Sequence, residues 1–188
     1  MAEIFSSERF VKGMLHFEAT LAAVQADLGI IPAEAAHQIS EGVETLKIDW
    51  EKMQQGTNKA GIPVPELMRQ LRNHIGEAGT HVHWGATTQD VIDTTLVMQM
   101  RDAFDILESN LTQLIDLLAN MAEVHRHSIM VGRTRSQAAL PITFGLKVAG
   151  WLAPLIRHRE RLAQLKTRLL VVEFGGAVGT LASLGDQA

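Results

Sequence analysis

Two histidines and two threonines stand together where the chain could bind an anion. Residues 81–93 read HVHWGATTQDVID and lie at the start of the longest stretch without Gly or Pro in the sequence. Thr87 or Thr88 can cap the helix that this stretch predicts. The amides and the positive end of the macrodipole at such a helix start attract carboxylates and phosphates. The segment therefore predicts an anion site beside His83, and an ordinary helix cap next to a packed histidine is the alternative interpretation.

A second cluster, GRTRSQAALPITF at residues 132–144, supplies positive charge. Residues 124–159 contain no Asp or Glu, although the whole chain has a formal net charge of -4. Guanidinium groups such as those of Arg133 and Arg135 bind carboxylates through two parallel hydrogen bonds. The window predicts a site for a multiply charged anion. The alternative interpretation is a solvated surface with basic residues at helix ends.

A third cluster, FGGAVGTLASLG at residues 174–185, is rich in small residues. It does not follow a clear strand, so it is a poor match to the dinucleotide-binding fingerprint and instead predicts close helix packing or a flexible loop at the active site. The histidine pairs at 81/83 and 125/127 lack the helical spacing and the carboxylates of a zinc hydrolase, so the sequence predicts no metal. It contains neither a Gly-x-Ser-x-Gly elbow nor a phosphate loop.

Helices must position these clusters, because the chain is poor in aromatic residues (5%) and rich in helix-forming ones. Caps and breakers predict helices at about 7–28, from Pro32, at 49–55 and at 65–75. The absence of Gly and Pro from Gln89 to Gly132 predicts one helix of about forty residues, roughly 60 Å long at 1.5 Å per residue. Apolar residues spaced alternately by three and four form one seam along this helix and a second along residues 144–169, so two long helices would lie side by side, joined by a turn around Gly132. Pro154 predicts a kink in the second of them.

The sequence thus predicts an all-α protein with an N-terminal helical domain at 1–88 and the first part of a central long-helix bundle at 89–188. Apolar residues outside the seams need to be buried by later helices, by other subunits or by both. Because no final element is evident at 184–188, we expect the chain to be truncated. The negative charge argues against nucleic acid and anionic membranes as partners. Without cysteine, a signal segment or a membrane span, a cytoplasmic location is the default expectation.

Taken together, the three clusters resemble the signature regions of the fumarase and aspartase superfamily. HWGATTQDVIDT resembles the first region, and GRTRSQAALPITFG resembles the second. The wording ALPITFGLKVAGWL, with FSSERF, FEATLA and LGIIPAEAA nearer the start, resembles the bacterial 3-carboxy-cis,cis-muconate cycloisomerases within it. The resemblance extends over essentially all 188 residues.

The resemblance implies a homotetramer whose long helices form one core and whose active sites each draw on three subunits. It also implies a small tricarboxylate substrate, closure of 3-carboxy-cis,cis-muconate to a carboxymuconolactone in protocatechuate breakdown, and no cofactor. The alternatives are an adenylosuccinate lyase-like C–N lyase and a non-catalytic helical assembly module. The superfamily's third, Ser-rich region would lie beyond Ala188, so we expect this chain alone to be inactive.

The resemblance also implies roles for particular residues. His83 matches a histidine that contacts substrate, and Arg135 stands where many lyases of the superfamily have the proton-transferring histidine. Because arginine cannot exchange protons near neutral pH, Arg135 should bind or stabilise charge, which leaves the acid unassigned. These two are the predicted catalytic residues. The predicted substrate-binding residues are Thr87, Thr88, Gln89, Arg133, Thr134 and Gln137.

Overall fold

The computed structural model of the chain describes residues 1–187. Its six α-helices are α1 Ser7–Asp27, α2 Ala33–Thr45, α3 Trp50–Ala60, α4 Val64–Ile75, α5 Thr88–Val124 and α6 Phe144–Leu169. Short 3-10 helices span Gly76–His81 and Ala182–Gln187. Two strands, β1 Ile129–Thr134 and β2 Gln137–Thr143, pair as an antiparallel hairpin. The predicted helical fold class is confirmed, with this small hairpin added to it.

Residues 1–100 and the described residues from Val171 onward form one compact unit, and residues 101–170 form a second. The first unit has the main apolar core, to which α1, α2 and α4 contribute fully buried Met14, Ile39 and Leu67. Burying such side chains is the chief stabilising term of a helical unit. The boundary expected at residues 88 and 89 concerns the domains of a longer protein, and it stays a prediction.

Helix α3 is longer than the sequence predicted, because Gly56 does not end it. A Cβ atom at Gly56 would lie 2.5 Å from the Cβ of Glu66, so this glycine lets α3 approach α4 closely. The helix ends instead at Gly61, whose φ of 79° is the left-handed conformation typical of a C-terminal stop. Gly56 thus allows close helix packing, and Gly61 ends the helix.

In the second unit, α6 contacts the later part of α5 near both of its ends. Gly145 is close enough that a Cβ atom there would lie 2.5 Å from the carbonyl oxygen of Ala122. At the other end, Lys166 Nζ lies 2.6 Å from Glu108 Oε2 and 3.2 Å from Asp105 Oδ1. The hydrogen bond to Glu108, and then that to Asp105, raises the pKa of Lys166. The two helices therefore run antiparallel, side by side, and α6 continues through Pro154.

The connection between α5 and α6 is the hairpin rather than the simple turn that the sequence predicted. Val131 pairs with Pro141 and Arg133 with Ala138, so the register shifts at Gly132. A Cβ atom at Gly132 would lie 2.6 Å from the carbonyl oxygen of Leu140, which explains why glycine occupies this irregular position.

Large apolar side chains on both long helices of the second unit are exposed, among them Ile106, Leu114, Leu117, Leu146 and Trp151. Leu117 is 65% exposed and Leu146 is 63% exposed. These two side chains are among those that we expect later helices or other subunits to cover. Within residues 1–187, no helix combines the length and apolarity needed to cross a membrane.

Candidate functional site

His83 is held by a buried carboxylate from the first helix. Its Nδ1 atom lies 2.7 Å from Oε1 of Glu18, and the two side chains are 14% and 0% exposed. The backbone of His83 has a φ of 65°, a left-handed conformation that residues other than glycine rarely adopt. Two features therefore fix the position of the imidazole: the unusual backbone conformation of His83 and the contact of its Nδ1 atom with Glu18 on α1.

Two further side chains hold the loop that carries His83. Gln25 Nε2 donates a hydrogen bond of 2.7 Å to the carbonyl oxygen of Trp84. Arg72 Nη2 donates one of 2.9 Å to the carbonyl oxygen of Val82. Carbonyl groups on both sides of His83 are thus satisfied by long polar side chains, which fixes the path of the loop.

The loop lines a cavity of about 680 Å³. Its polar lining includes Arg72, Asn73, Thr80, His83 and Ser183, and none of the described residues that line it is acidic. A guanidinium, an imidazole, an amide and hydroxyl groups are donors that suit a carboxylate ligand. Site roles for Arg72, Asn73 and Ser183 could not be predicted from the sequence, because only the folded chain brings them next to His83.

Asp90 organises the start of α5. Its Oδ2 accepts hydrogen bonds from the backbone amides of Thr87 at 2.9 Å and Gly176 at 3.0 Å, and its Oδ1 accepts one from the amide of Gly175 at 3.0 Å. Asp90 is only 6% exposed. The amide of Thr87 is therefore engaged by Asp90, and its hydroxyl group is the donor that it can offer to a ligand.

The glycine cluster at 174–185 packs against the loop of His83, so its close contact is with a loop and not the close helix packing that its composition predicted. Gly176 has a φ of 69°, and a Cβ atom there would lie 3.0 Å from the carbonyl oxygen of Gly85. A Cβ atom at Gly85 would in turn lie 2.6 Å from the side chain of Leu184. Gly176 therefore allows close approach to the backbone of the loop, Gly85 makes room for a leucine side chain, and both have the positive φ that favours glycine.

Replacing Asp90 with alanine should lower the free energy of unfolding by about 3 kcal/mol, since it leaves three partly buried amides without their charged acceptor. Urea denaturation of the 188-residue chain, followed by circular dichroism, measures the change. Asp93 is a matched control, because its hydrogen-bond partner is an exposed glutamine one turn earlier. Asp93→Ala should change stability by less than about 0.5 kcal/mol. Equal effects of the two substitutions would contradict the role given to Asp90.

The second predicted cluster, residues 132–144, spans the end of β1, the turn, β2 and the first residue of α6. Arg135 and Ser136 form its two-residue turn with φ values of 47° and 69°, between the paired residues Thr134 and Gln137. Turns of this kind are usually built from Asn and Gly, because both central residues are left-handed. Arg133, Thr134, Arg135 and Gln137 are exposed, and within the described chain the two guanidinium groups make no ion pair or hydrogen bond. Both cations are thus available to a ligand.

The predicted site residues fall into two groups in different compact units. His83, Thr87, Thr88 and Gln89 lie together on one loop and helix start, where the exposed Gln89 side chain donates to Asp93 at 2.6 Å. The other group shares the hairpin tip. Among residues 1–187 no cluster of three His, Cys, Asp or Glu side chains could hold a metal ion.

Comparisons with known proteins agree on one protein family. A family model described as "Lyase" matches residues 1–187. The chain is 45% identical to trans-aconitate decarboxylase 1 of Mycosarcoma maydis over 188 residues, all of this chain and 38% of that protein. It is 44% identical to 3-carboxy-cis,cis-muconate cycloisomerase of Pseudomonas aeruginosa over 192 residues, all of this chain and 42% of that protein. Adenylosuccinate lyase of Methanocaldococcus jannaschii is 37% identical over 188 residues, all of this chain and 41% of that protein.

A solved structure agrees with these sequence matches. The 3-carboxy-cis,cis-muconate lactonizing enzyme of Pseudomonas putida superimposes with a TM-score of 0.96 at 43% sequence identity, over all of this chain and 44% of that one. The small hairpin therefore belongs to a known helical fold. The chain spans about two fifths of the length of the relatives that it matches.

Proposed function

Because the chain belongs to the lyase family whose model matches residues 1–187, we propose that it is part of a cycloisomerase that interconverts 3-carboxy-cis,cis-muconate and a carboxymuconolactone. Relatives and solved structures that carry this activity in their names support the proposal. The substrate class is a small tricarboxylate. The enzyme acts in the cytoplasm as a homotetramer, and the exposed apolar faces of α5 and α6 support such an assembly.

The observation that carries the proposal is the imidazole of His83 at a cavity lined by hydrogen-bond donors and by one arginine, Arg72. In lactone closure, an oxygen of one carboxylate bonds to an alkene carbon while the neighbouring carbon takes up a proton from a general acid, so the trianion and one proton give the dianionic lactone as the π bond is lost. Charge accumulates on the carboxylate next to the protonated carbon before the proton arrives. Fixed cationic and hydrogen-bonding groups stabilise that charge, and a positioned imidazole exchanges the proton or polarises the substrate.

The proposed roles follow the two groups of residues. His83 contacts the reacting part of the substrate, and the Thr87 and Thr88 hydroxyls and the Gln89 amide hold one carboxylate. In the hairpin, Arg135 stabilises developing charge, and the remaining binding residues are Arg133, Thr134 and Gln137. Arg72 joins the first group, because its guanidinium lines the cavity beside His83.

The test is an assay of the extended chain, meaning this chain continued by its native downstream sequence to the length of its relatives. Loss of the ultraviolet absorbance of the 3-carboxy-cis,cis-muconate diene measures lactone formation. Adenylosuccinate and trans-aconitate serve as parallel substrates, because relatives bear those names. The 188-residue chain alone is the control, and we expect it to be inactive.

Rapid loss of the diene signal, with neither parallel substrate consumed, is the expected result. Cleavage of adenylosuccinate alone, or release of carbon dioxide from trans-aconitate alone, would keep the family and overturn the substrate. A folded extended chain that neither turns over nor binds any of the three compounds would favour the helical assembly module. Turnover by the 188-residue chain at an ordinary enzymatic rate would overturn the view that the site needs residues beyond it.

A further inference from the structure

We propose that Glu18 is a positioning residue that fixes the ring tautomer and the orientation of His83. The proposal rests on the proposed function in one respect, namely that His83 acts on the substrate. Glu18 lies on α1, 65 residues before His83, outside the three sequence clusters.

The hydrogen bond determines which ring nitrogen carries the hydrogen. A carboxylate only accepts hydrogen bonds, so Nδ1 of His83 must be the donor across the 2.7 Å contact with Glu18 Oε1. Nε2 is then the ring nitrogen left for a substrate, as an acceptor in the neutral ring and as a donor in the protonated ring. This use of a hydrogen bond at one nitrogen to define the chemistry of the other is a general property of histidine.

The burial of Glu18 is difficult to explain by stability alone. The side chain is 0% exposed, and its Oε2 atom has no hydrogen-bond partner among the described residues. Burying a carboxylate with one oxygen unpaired is unfavourable, and a side chain of similar shape without the charge often packs as well or better. We therefore assign the role of the Glu18 carboxylate from its hydrogen-bond partner, the imidazole of His83.

His83 shows a second unfavourable feature at the same place. Its φ of 65° is strained for a residue with a side chain. A buried, half-satisfied carboxylate and a strained backbone both serve to hold a single imidazole at the edge of the cavity. Strain of this kind concentrates at sites that need a preorganised group.

Gln25 provides a comparison within the same helix. It lies seven residues after Glu18 on the same face of α1, is 3% exposed, and donates to the carbonyl oxygen of Trp84. Its contact is with the backbone of the loop and not with a ring. Gln25 therefore supports the loop in the way that a purely structural residue does, and Glu18 differs from it by contacting the imidazole.

The test compares Glu18→Gln with the unsubstituted protein, because glutamine keeps the shape and can either donate to Nδ1 or accept from it. Nitrogen NMR of ¹⁵N-histidine in the 188-residue chain reports the tautomer without any substrate. We expect one tautomer, with hydrogen on Nδ1, in the unsubstituted chain and a mixture in Glu18→Gln. In the extended chain, kcat should fall about 100-fold, at the lower end of what general acid–base catalysis contributes, with KM changed less than about threefold.

Gln25→Leu is the matched control. It should weaken the loop and lower the melting temperature while His83 keeps its single tautomer, which separates loosening of the loop from loss of the carboxylate. An Nδ1 without hydrogen in the unsubstituted chain would overturn the proposal, and this measurement does not depend on whether Glu18→Gln folds. A single unchanged tautomer and an unchanged kcat in a folded Glu18→Gln would overturn it as well. If the extended chain turns over none of the three substrates, the proposed function fails while the tautomer result still stands.

Discussion

Replacing His83 with glutamine should lower the kcat of the extended chain about a thousandfold, within the range attributed to loss of a general acid or base. Glutamine can still hydrogen-bond to Glu18, so the loop should keep its path while losing the group that exchanges protons. The measurement is steady-state kinetics with the muconate, together with circular dichroism to verify the helical content. Because the effect is on the transition state, KM should change far less than kcat.

His81→Gln is the control for this substitution. His81 ends the 3-10 helix two residues earlier and is not among the residues that line the cavity. Its replacement should leave kcat within about threefold, as expected for a residue outside the reacting constellation. Equal losses in both variants would indicate damage to the loop and not to the chemistry, and a fully active His83→Gln would remove His83 from the reaction.

The sequence allowed the long helices to be predicted because their signal is local. The absence of Gly and Pro after Gln89 and the three-and-four spacing of apolar residues depend only on neighbours along one helix. The structure accordingly places α5 at Thr88–Val124 and α6 at Phe144–Leu169. The first and second clusters could be identified for the same reason, since each is contiguous in sequence.

What could not be predicted depends on residues far apart in the chain. The contact of Glu18 with His83 joins positions 65 residues apart, and Asp90 accepts from amides 85 and 86 residues later. Periodicity contains no information about such pairs. The hairpin was missed for a different reason: its turn is Arg-Ser, which lacks the Asn-Gly signal of a left-handed two-residue turn. The β-branched residues Ile129, Val131 and Thr134 were the available signal.

The same unusual turn gives a prediction in which stability and activity change in opposite directions. Replacing Arg135 and Ser136 with Asn and Gly supplies the residues that such a turn favours, so the hairpin should become more stable. If Arg135 stabilises charge in the reaction, kcat/KM should nevertheless fall about 100-fold, the size expected when one partner of a close charged pair is removed. Thermal unfolding and steady-state kinetics of the extended chain measure the two quantities.

Ser136→Gly alone separates the two effects, because it relaxes the turn and keeps the guanidinium. It should raise the melting temperature and leave kcat/KM nearly unchanged. Arg135→Lys should lose most of the activity despite keeping the charge, since an ammonium cannot make the paired hydrogen bonds of a guanidinium. Full activity in the Asn-Gly double variant would contradict a role for Arg135 in the reaction. Loss in the double variant and in Arg135→Lys, but not in Ser136→Gly, would make the strained turn a device for presenting the guanidinium to the substrate.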